Sequence, residues 1–355
     1  MTPNPPHGGR AGSAVPSATT SATAPASRAP ASFHAGDDDH VMPFAVEALD
    51  VRGRVIRLGP AIDELLARHD YPEPVARLLA EMVALTLLLG TSLKFDGRFI
   101  VQAQGDGPVS LLVVDFQTPD SVRAMARFDE TRLAAAVAAG ETQPAQLLGK
   151  GHLALTVDQG AHMSRYQGVV AMEGESLEEM AQAYFLQSEQ IPTLVRLAVA
   201  QTVERGEGGK AHWRAGGFIG QYLPRDTSRV AVRDLHPGDD PNPEATGAIL
   251  PDHHEHWREA EALIGTIEDA ELVDPQTGSD QLVYRLFHER GVRVFEALPV
   301  SENCTCSLDR VKATVKTFAD DPDPSMIDNG AIVVTCEFCS KQYRFDPETL
   351  EPITQ

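Results

Sequence analysis

The placement of the cysteines constrains this chain more than any other feature. There are four: Cys304 and Cys306 form a CxC pair, Cys336 and Cys339 a CxxC pair, and 29 residues separate the pairs. All four fall in the last 52 residues of a 355-residue chain. A protein stapled by disulfides would spread its cysteines more widely. Clustered thiols in this pattern suit a tetrahedral metal, with four thiolates at about 2.3 Å each. An i, i+3 pair wraps an ion from one tight turn, and an i, i+2 pair on extended backbone points both sulfurs the same way. The intervening segment is long enough for a helix and a turn that bring the pairs together. So short a C-terminal block has little core of its own, and such modules often need a metal to fold.

Zinc holds its ligands as thiolates, the nucleophilic and oxidisable form of cysteine. Four thiolates on one divalent ion leave a net charge of −2. Lys312, Lys316 and Lys341 are near in sequence and could temper it, although residues 301–355 carry ten acidic against five basic side chains. Two readings of the motif stay open at this point. The metal could simply hold a zinc ribbon together, or the site could be a reversible redox switch in which each pair closes on itself once the metal leaves. A CxC ring is tight and strained, hence reducible.

Composition narrows the partners. Acidic residues number 51 against 30 basic, a net charge of −21, which argues against a nucleic-acid backbone and against an anionic membrane surface. The longest apolar run, Met82–Leu89, contains Thr86 and is too short to span a bilayer. The first forty residues lack the apolar core of a secretory signal, so the chain reads as cytoplasmic. Residues 1–40 are rich in Ala, Ser, Thr, Pro and Gly and read as a disordered tail. A transit peptide is the alternative there, and the presence of only Arg10 and Arg28 as basic residues argues against it.

From Phe44 onward strand-like and helix-like patterns mix. Alternation predicts a half-buried strand over Val51–Leu58, and the turn signal Gly105-Asp106-Gly107-Pro108 separates strands over Arg98–Gly105 and Val109–Asp115. Helical spacing covers Ala61–Leu66 and Pro74–Leu89, where Leu78, Met82 and Leu85 share a stripe. Ser176 with Glu179 forms a capping-box pattern for a helix to Tyr184. Further on, Trp257–Ala270 and Asp280–Glu289 read as helices, and Ile332–Val334 as a strand before Cys336. The fold class is α/β (α+β): a tail (1–40), an N-terminal α/β domain (41–225), an acidic hinge and helical linker (226–300), and a small four-Cys zinc domain (301–355).

The sequence resembles the 33 kDa chaperonin family, the redox-regulated heat-shock chaperones of bacteria. The CxC and CxxC at this separation are the family's zinc motif. The likeness extends to Leu93-Lys94-Phe95-Asp96-Gly97 followed by Gln102-Ala103-Gln104-Gly105-Asp106-Gly107-Pro108. It also covers Tyr184–Thr193, Gly216-Gly217 with Gln221 and Pro224, Leu286-Phe287-His288-Glu289, and Tyr343 and Phe345 after the CxxC, so that it spans about Phe44 to Leu350. The tail and the acidic stretch 234–256 depart from the family pattern. The resemblance implies one zinc ion on Cys304, Cys306, Cys336 and Cys339 in a nearly inactive reduced state. Oxidants and unfolding stress would then form Cys304–Cys306 and Cys336–Cys339 disulfides and release zinc. The C-terminal domain and linker would unfold, and the chain would form a homodimer that holds unfolding client proteins without ATP. It implies no catalytic residue and no enzyme activity. If the linker helices dock partly on the zinc domain, its loss exposes Trp257, Leu263, Ile264 and Ile267, which would contribute to the client surface.

Competing readings are weaker. A thiol–disulfide oxidoreductase would use the CxxC at a helix start and leaves the CxC unexplained. A nucleic-acid-binding zinc ribbon conflicts with the acidic C-terminal block. His253, His254 and His256 read as an exposed hinge rather than a metal site. Gly206–Lys210 lacks phosphate-loop spacing, Ser188 lacks a hydrolase context, and the Asn303-Cys304-Thr305 sequon is a chance match.

Overall fold

The apolar run around Met82–Leu89 becomes the axis of the fold. The computed structural model describes residues 38–93, 95–160, 165–203, 209–223, 255–317, 327–347 and 349–353. The expected tail (except for its last three residues), the acidic stretch up to 254 with His253 and His254, most of the Gly206–Lys210 turn and Pro224 lie outside the described residues. In chain order the elements are β1 (His40–Val46), β2 (Val51–Leu58), α1 (Pro60–Ala67), α2 (Glu73–Gly90), β3 (Arg98–Gly105), β4 (Val109–Gln117), β5 (Ser121–Phe128), α3 (Glu130–Ala139) and α4 (Pro144–Leu148). There follow β6 (Gly151–Asp158), β7 (Tyr166–Ala171), α5 (Leu177–Tyr184), β8 (Thr193–Val203), β9 (Ala211–Tyr222), α6 (Glu255–Ile264), α7 (Asp269–Val273) and α8 (Ser279–Phe287). The C-terminal part holds β10 (Arg293–Val294), β11 (Leu298–Pro299), β12 (Ser301–Glu302), α9 (Leu308–Lys316), β13 (Ile327–Asp328), β14 (Ala331–Thr335) and β15 (Gln342–Phe345). No described helix is long and apolar enough to cross a membrane.

Two sheets sandwich α2. The first runs β10-β1-β2-β9-β8, with β11 also on β1; the second runs β12-β5-β4-β3-β6-β7. Fourteen of the 18 residues of α2 are buried, which a helix achieves only when it is covered on nearly all sides. Its Leu88 meets Gly217 of the first sheet, and Gly90 lies against Phe99 and Phe116 of the second. The one hydroxyl in this run, on Thr86, donates to the Met82 carbonyl at 2.7 Å, so the helix buries it satisfied.

The other face of the first sheet is covered by the linker helices. Met42, Phe44, Val46, Val55 and Phe218 form one apolar cluster with Ala260, Ile264, Ile267, Leu272, Leu282 and Phe287. This differs from expectation in three ways. Val51–Leu58 is buried on both faces over its second half because helices lie on either side of the sheet. The segment 257–270 is two helices, since the chain turns at Gly265 and restarts at Glu268, whose N–H donates to the Glu271 carboxylate at 3.0 Å. The linker helices pack on the first sheet, as the family resemblance implies, but that apolar cluster takes no residue from the cysteine module, on which partial docking was conceivable. Ser176 caps α5 as expected, accepting from the Glu179 N–H at 3.2 Å, but the Glu179 carboxylate accepts from Glu175 instead of closing the box.

Glycine and arginine on β9 and β2 explain why the linker sits where it does. A Cβ on Gly216 would run into the Leu272 carbonyl, and one on Gly220 would lie 2.7 Å from Ile264 Cδ1. The backbone of α7 therefore rests directly on the sheet. At the end of α7, buried Arg57 donates to the Asp274 carbonyl and Arg214 Nε to the Val273 carbonyl at 2.8 Å. Arg214 also forks onto Asp38 at 2.6 and 2.7 Å. These cations take up carbonyls that a helix leaves unbonded at its C-terminus.

Two outcomes are expected. Gly216→Val should lift α7 and cost about 1–3 kcal/mol, seen as faster hydrogen exchange over residues 255–287; unchanged exchange there would refute the platform. Burial raises the Glu81 carboxyl from 4.5 to about 7, assisted by Glu178 and Asp269 and opposed by Arg77. The folded chain thus holds this proton more tightly than the unfolded one, so stability falls as pH rises from 4.5 through 7. Glu81→Gln should raise the melting temperature by several degrees at pH 8, from a cost on the order of 2–3 kcal/mol. The difference should vanish near pH 4.5, and an equal shift at both pH values would contradict the assignment.

Candidate metal centre

The cysteine module has a very small core of its own. Among the described residues its buried apolar side chains are Val315, Ala331, Ile332, Tyr343 and Phe345, with Val311, Val334 and Leu350 partly buried beside them. Local sequence sets the two cysteine pairs. Cys304 and Cys306 lie in the irregular segment between β12 and α9, where Ser307 starts the helix by accepting from the Arg310 N–H at 3.3 Å. Cys336 and Cys339 lie in the turn of the β14–β15 hairpin, whose strands pair from Ile332 with Phe345 to Thr335 with Gln342. The turn is closed by Cys336 N–H to the Lys341 carbonyl at 2.9 Å and by the Ser340 N–H to the Cys336 carbonyl at 2.8 Å. Ser340 itself takes a left-handed φ of 55°.

The sulfurs converge as the spacing implied. Cys304 Sγ lies 3.7 Å from Cys336 Sγ, Cys306 Sγ lies 3.4 Å from Cys339 Sγ, and all four sulfurs fall within 4.8 Å of one another. Sulfurs at about 2.3 Å from a tetrahedral ion stand about 3.8 Å apart, so the set has the dimensions of a metal cage. Both of these contacts take one sulfur from each motif, and the four form one interlocked cluster rather than two separate dithiols. The cysteines are positioned to bind a metal ion.

Electrostatics favour a cation there. Burial pushes the Cys304 and Cys339 thiols up. Burial also acts on Cys306, but the Tyr343 hydroxyl, donating at 3.2 Å, and the neighbouring sulfurs outweigh it and pull that thiol down to about 7. Protons are shared unequally because so many negative sulfurs cannot ionise side by side. A divalent ion removes that conflict and would hold all four as thiolates.

Residues distant in sequence complete the surroundings. Of the expected lysines, Lys312 pairs with Glu351 at 2.9 Å, and Lys341 lies over the ring of Tyr343, whose hydroxyl donates to Cys306. The cations facing the CxxC turn come instead from the N-terminal sheets and helices. Arg127 forks onto Glu337 at 2.7 and 2.8 Å, and Arg123 sits 4.2 Å over the Phe338 ring. His69 bridges the Phe338 carbonyl at 3.2 Å and the Ser340 hydroxyl at 3.0 Å. On the CxC side, Arg68 pairs with the buried carboxylate of Glu302. Nothing local in the sequence marks these residues as part of the site, because each is brought there by long-range folding. His256 is exposed at the start of α6. The CxxC sits in a hairpin turn and not at a helix N-terminus, so the activating arrangement of a thioredoxin-like enzyme is absent.

Comparison with known proteins agrees with this architecture. The family model for Hsp33 protein matches residues 39–346. A 33 kDa chaperonin of Caulobacter vibrioides is 46% identical over 313 residues, covering 87% of this chain and 95% of the relative. That of Shewanella loihica is 36% identical, covering 87% and 93%, and that of Pseudomonas putida strain KT2440 is 34% identical, covering 87% and 91%. The crystal structure of a 33 kDa chaperonin (heat shock protein 33 homologue) from Thermotoga maritima shares the fold, with a TM-score of 0.63 at 20% identity over 88% of this chain and 96% of that one. A family match over most of the chain, relatives matched over 91–95% of their own length and a shared fold lead to one conclusion: the chain belongs to the Hsp33 family.

Proposed function

We propose that this chain is a cytoplasmic, redox-regulated, ATP-independent holdase rather than an enzyme. In this reading Cys304, Cys306, Cys336 and Cys339 hold one zinc ion in the reduced, inactive state. The N-terminal chaperone domain is 41–225, the linker 226–300 and the switch 301–355. The observation that carries it is the convergence of the only four thiols in the chain on a module too small to fold on apolar burial alone. Zinc, when bound, supplies folding free energy, on the order of 10–16 kcal/mol in zinc-finger peptides.

The switch follows from the thiols. Two thiolates give two electrons to the O–O bond of a peroxide, forming one S–S bond and, with two protons, two waters. Closing Cys304–Cys306 and Cys336–Cys339 consumes two peroxides and leaves no ligand for the ion. The module then loses its main stabilising contribution, and with it the anchor of residues 293–303, which lead from α8 to Cys304. Undocking of the linker would bare Ile264, Ile267, Trp257 and Leu263 together with the sheet face they cover, including Phe44 and Phe218. Exposed apolar surface on a strongly acidic chain can bind an unfolding protein and keep the complex soluble. The opened chain is expected to dimerise.

Light scattering from a thermally unfolding client tests this reading. The reduced, zinc-loaded chain should leave aggregation nearly unchanged. The same chain after peroxide at mildly raised temperature should suppress it and release one zinc per chain to a chromogenic chelator. Equal suppression in both states would mean a constitutive chaperone with a structural metal; none in either would return weight to the thiol–disulfide oxidoreductase, read by insulin reduction.

A further inference from the structure

One short segment covers an edge of each sheet. Residues 293–303, between α8 and the first cysteine, supply β10 and β11 to the outer edge of β1 and β12 to the outer edge of β5. On β1 the pairing is antiparallel; on β5 it is parallel. The segment is held by its main chain. Phe295 N–H donates to the Pro43 carbonyl at 2.9 Å, Val300 N–H to Asp39 at 2.7 Å, Ser301 N–H to Asp120 at 2.8 Å and Asn303 N–H to Val122 at 3.0 Å. Few of its side chains add to the hold: Val294 and Phe295 are each 42% exposed and Leu298 is 37% exposed, while Ala297, Val300 and the Glu302 carboxylate, paired with Arg68, are buried. Segments with few buried contacts detach at low free-energy cost, and this one ends at Cys304.

We propose that residues 293–303 stand in for an extended segment of an unfolding client, and that the β1 and β5 edges are client-binding strands once this strap is released. The proposal rests on the holdase reading above. Strand addition is recognised through backbone groups that every polypeptide carries, so it requires no client sequence. The strap itself demonstrates that the two edges accept added strands in opposite directions, which suits a partner with no fixed orientation. Bare edges are a standing aggregation hazard, and the strap keeps them covered while the cysteine module is folded.

The test uses the full chain, oxidised with peroxide and freed of zinc, with a reduced, carboxymethylated protein as the permanently unfolded client. Two competitors are a peptide of residues 292–303 and the same peptide N-methylated at Phe295, Val300, Ser301 and Asn303. Hydrogen exchange over residues 39–46 and 120–126 should quicken on oxidation and slow again when client or plain peptide is added. The plain peptide should displace the client, and the methylated peptide should bind at least tenfold more weakly. Client capture with both edges still exchanging fast, or equal binding of both peptides, would overturn the proposal. Protection that returns without client as protein concentration rises would assign the edges to a second copy and overturn it too. If the oxidised chain captures no client at all, the holdase reading fails first and this proposal falls with it.

Discussion

Four sulfurs from two motifs, held within 4.8 Å of one another, do for the C-terminal module what a hydrophobic core does elsewhere. The module's buried apolar residues among those described are Val315, Ala331, Ile332, Tyr343 and Phe345, too few to offset the entropy of ordering the surrounding chain. Its order therefore depends on whatever keeps the sulfurs together. Its position depends on the N-terminal part through Arg68, His69, Arg123 and Arg127, which grip residues on either side of the cysteines. A metal held by the four sulfurs would couple its occupancy to docking: a change at the sulfurs would be felt at the edge of the second sheet without any dedicated relay.

The rest of the molecule shows the opposite economy. The central helix, the inner faces of both sheets and α5 bury apolar surface on a scale that needs no metal. Between these two regimes lies the linker, which buries real apolar area against the first sheet and leads into the module through the strap. Stability is therefore graded along the chain, from a robust centre to a conditional C-terminus. The proposed opening of one part without loss of the other would need such grading.

What could be read from the sequence followed from local pattern. Val51–Leu58 and Arg98–Gly105 were legible as strands to the residue because alternation and turn residues bracket them. Pro74–Leu89 was legible as a helix because its apolar stripe and its proline sit at the right places. The four cysteines were legible because ligand spacing is a local property. β1 escaped because a strand buried on both faces has no alternation to read. β10, β11 and β12 escaped because two-residue strands carry no period at all. The helix over 257–270 was read as continuous because its apolar spacing carries across Gly265, where the chain turns. The partners of the CxxC turn escaped because a surface arginine on β5 looks like any other until the hairpin is folded against it.

The buried arginines under α7 have a further consequence. Arg57 and Arg214 are held out of water by the linker, with Asp38 and two helix carbonyls as their partners. Burying charges in this way is costly even when they are paired. Lifting α7 away would return both guanidinium groups to solvent, and the hydration they regain would offset part of the cost of wetting Phe44 and Phe218 beside them. The seam between linker and sheet is thus nearer to balance than its aromatic content suggests, and the uncovered face would carry positive charge amid apolar surface on a chain that is otherwise strongly anionic.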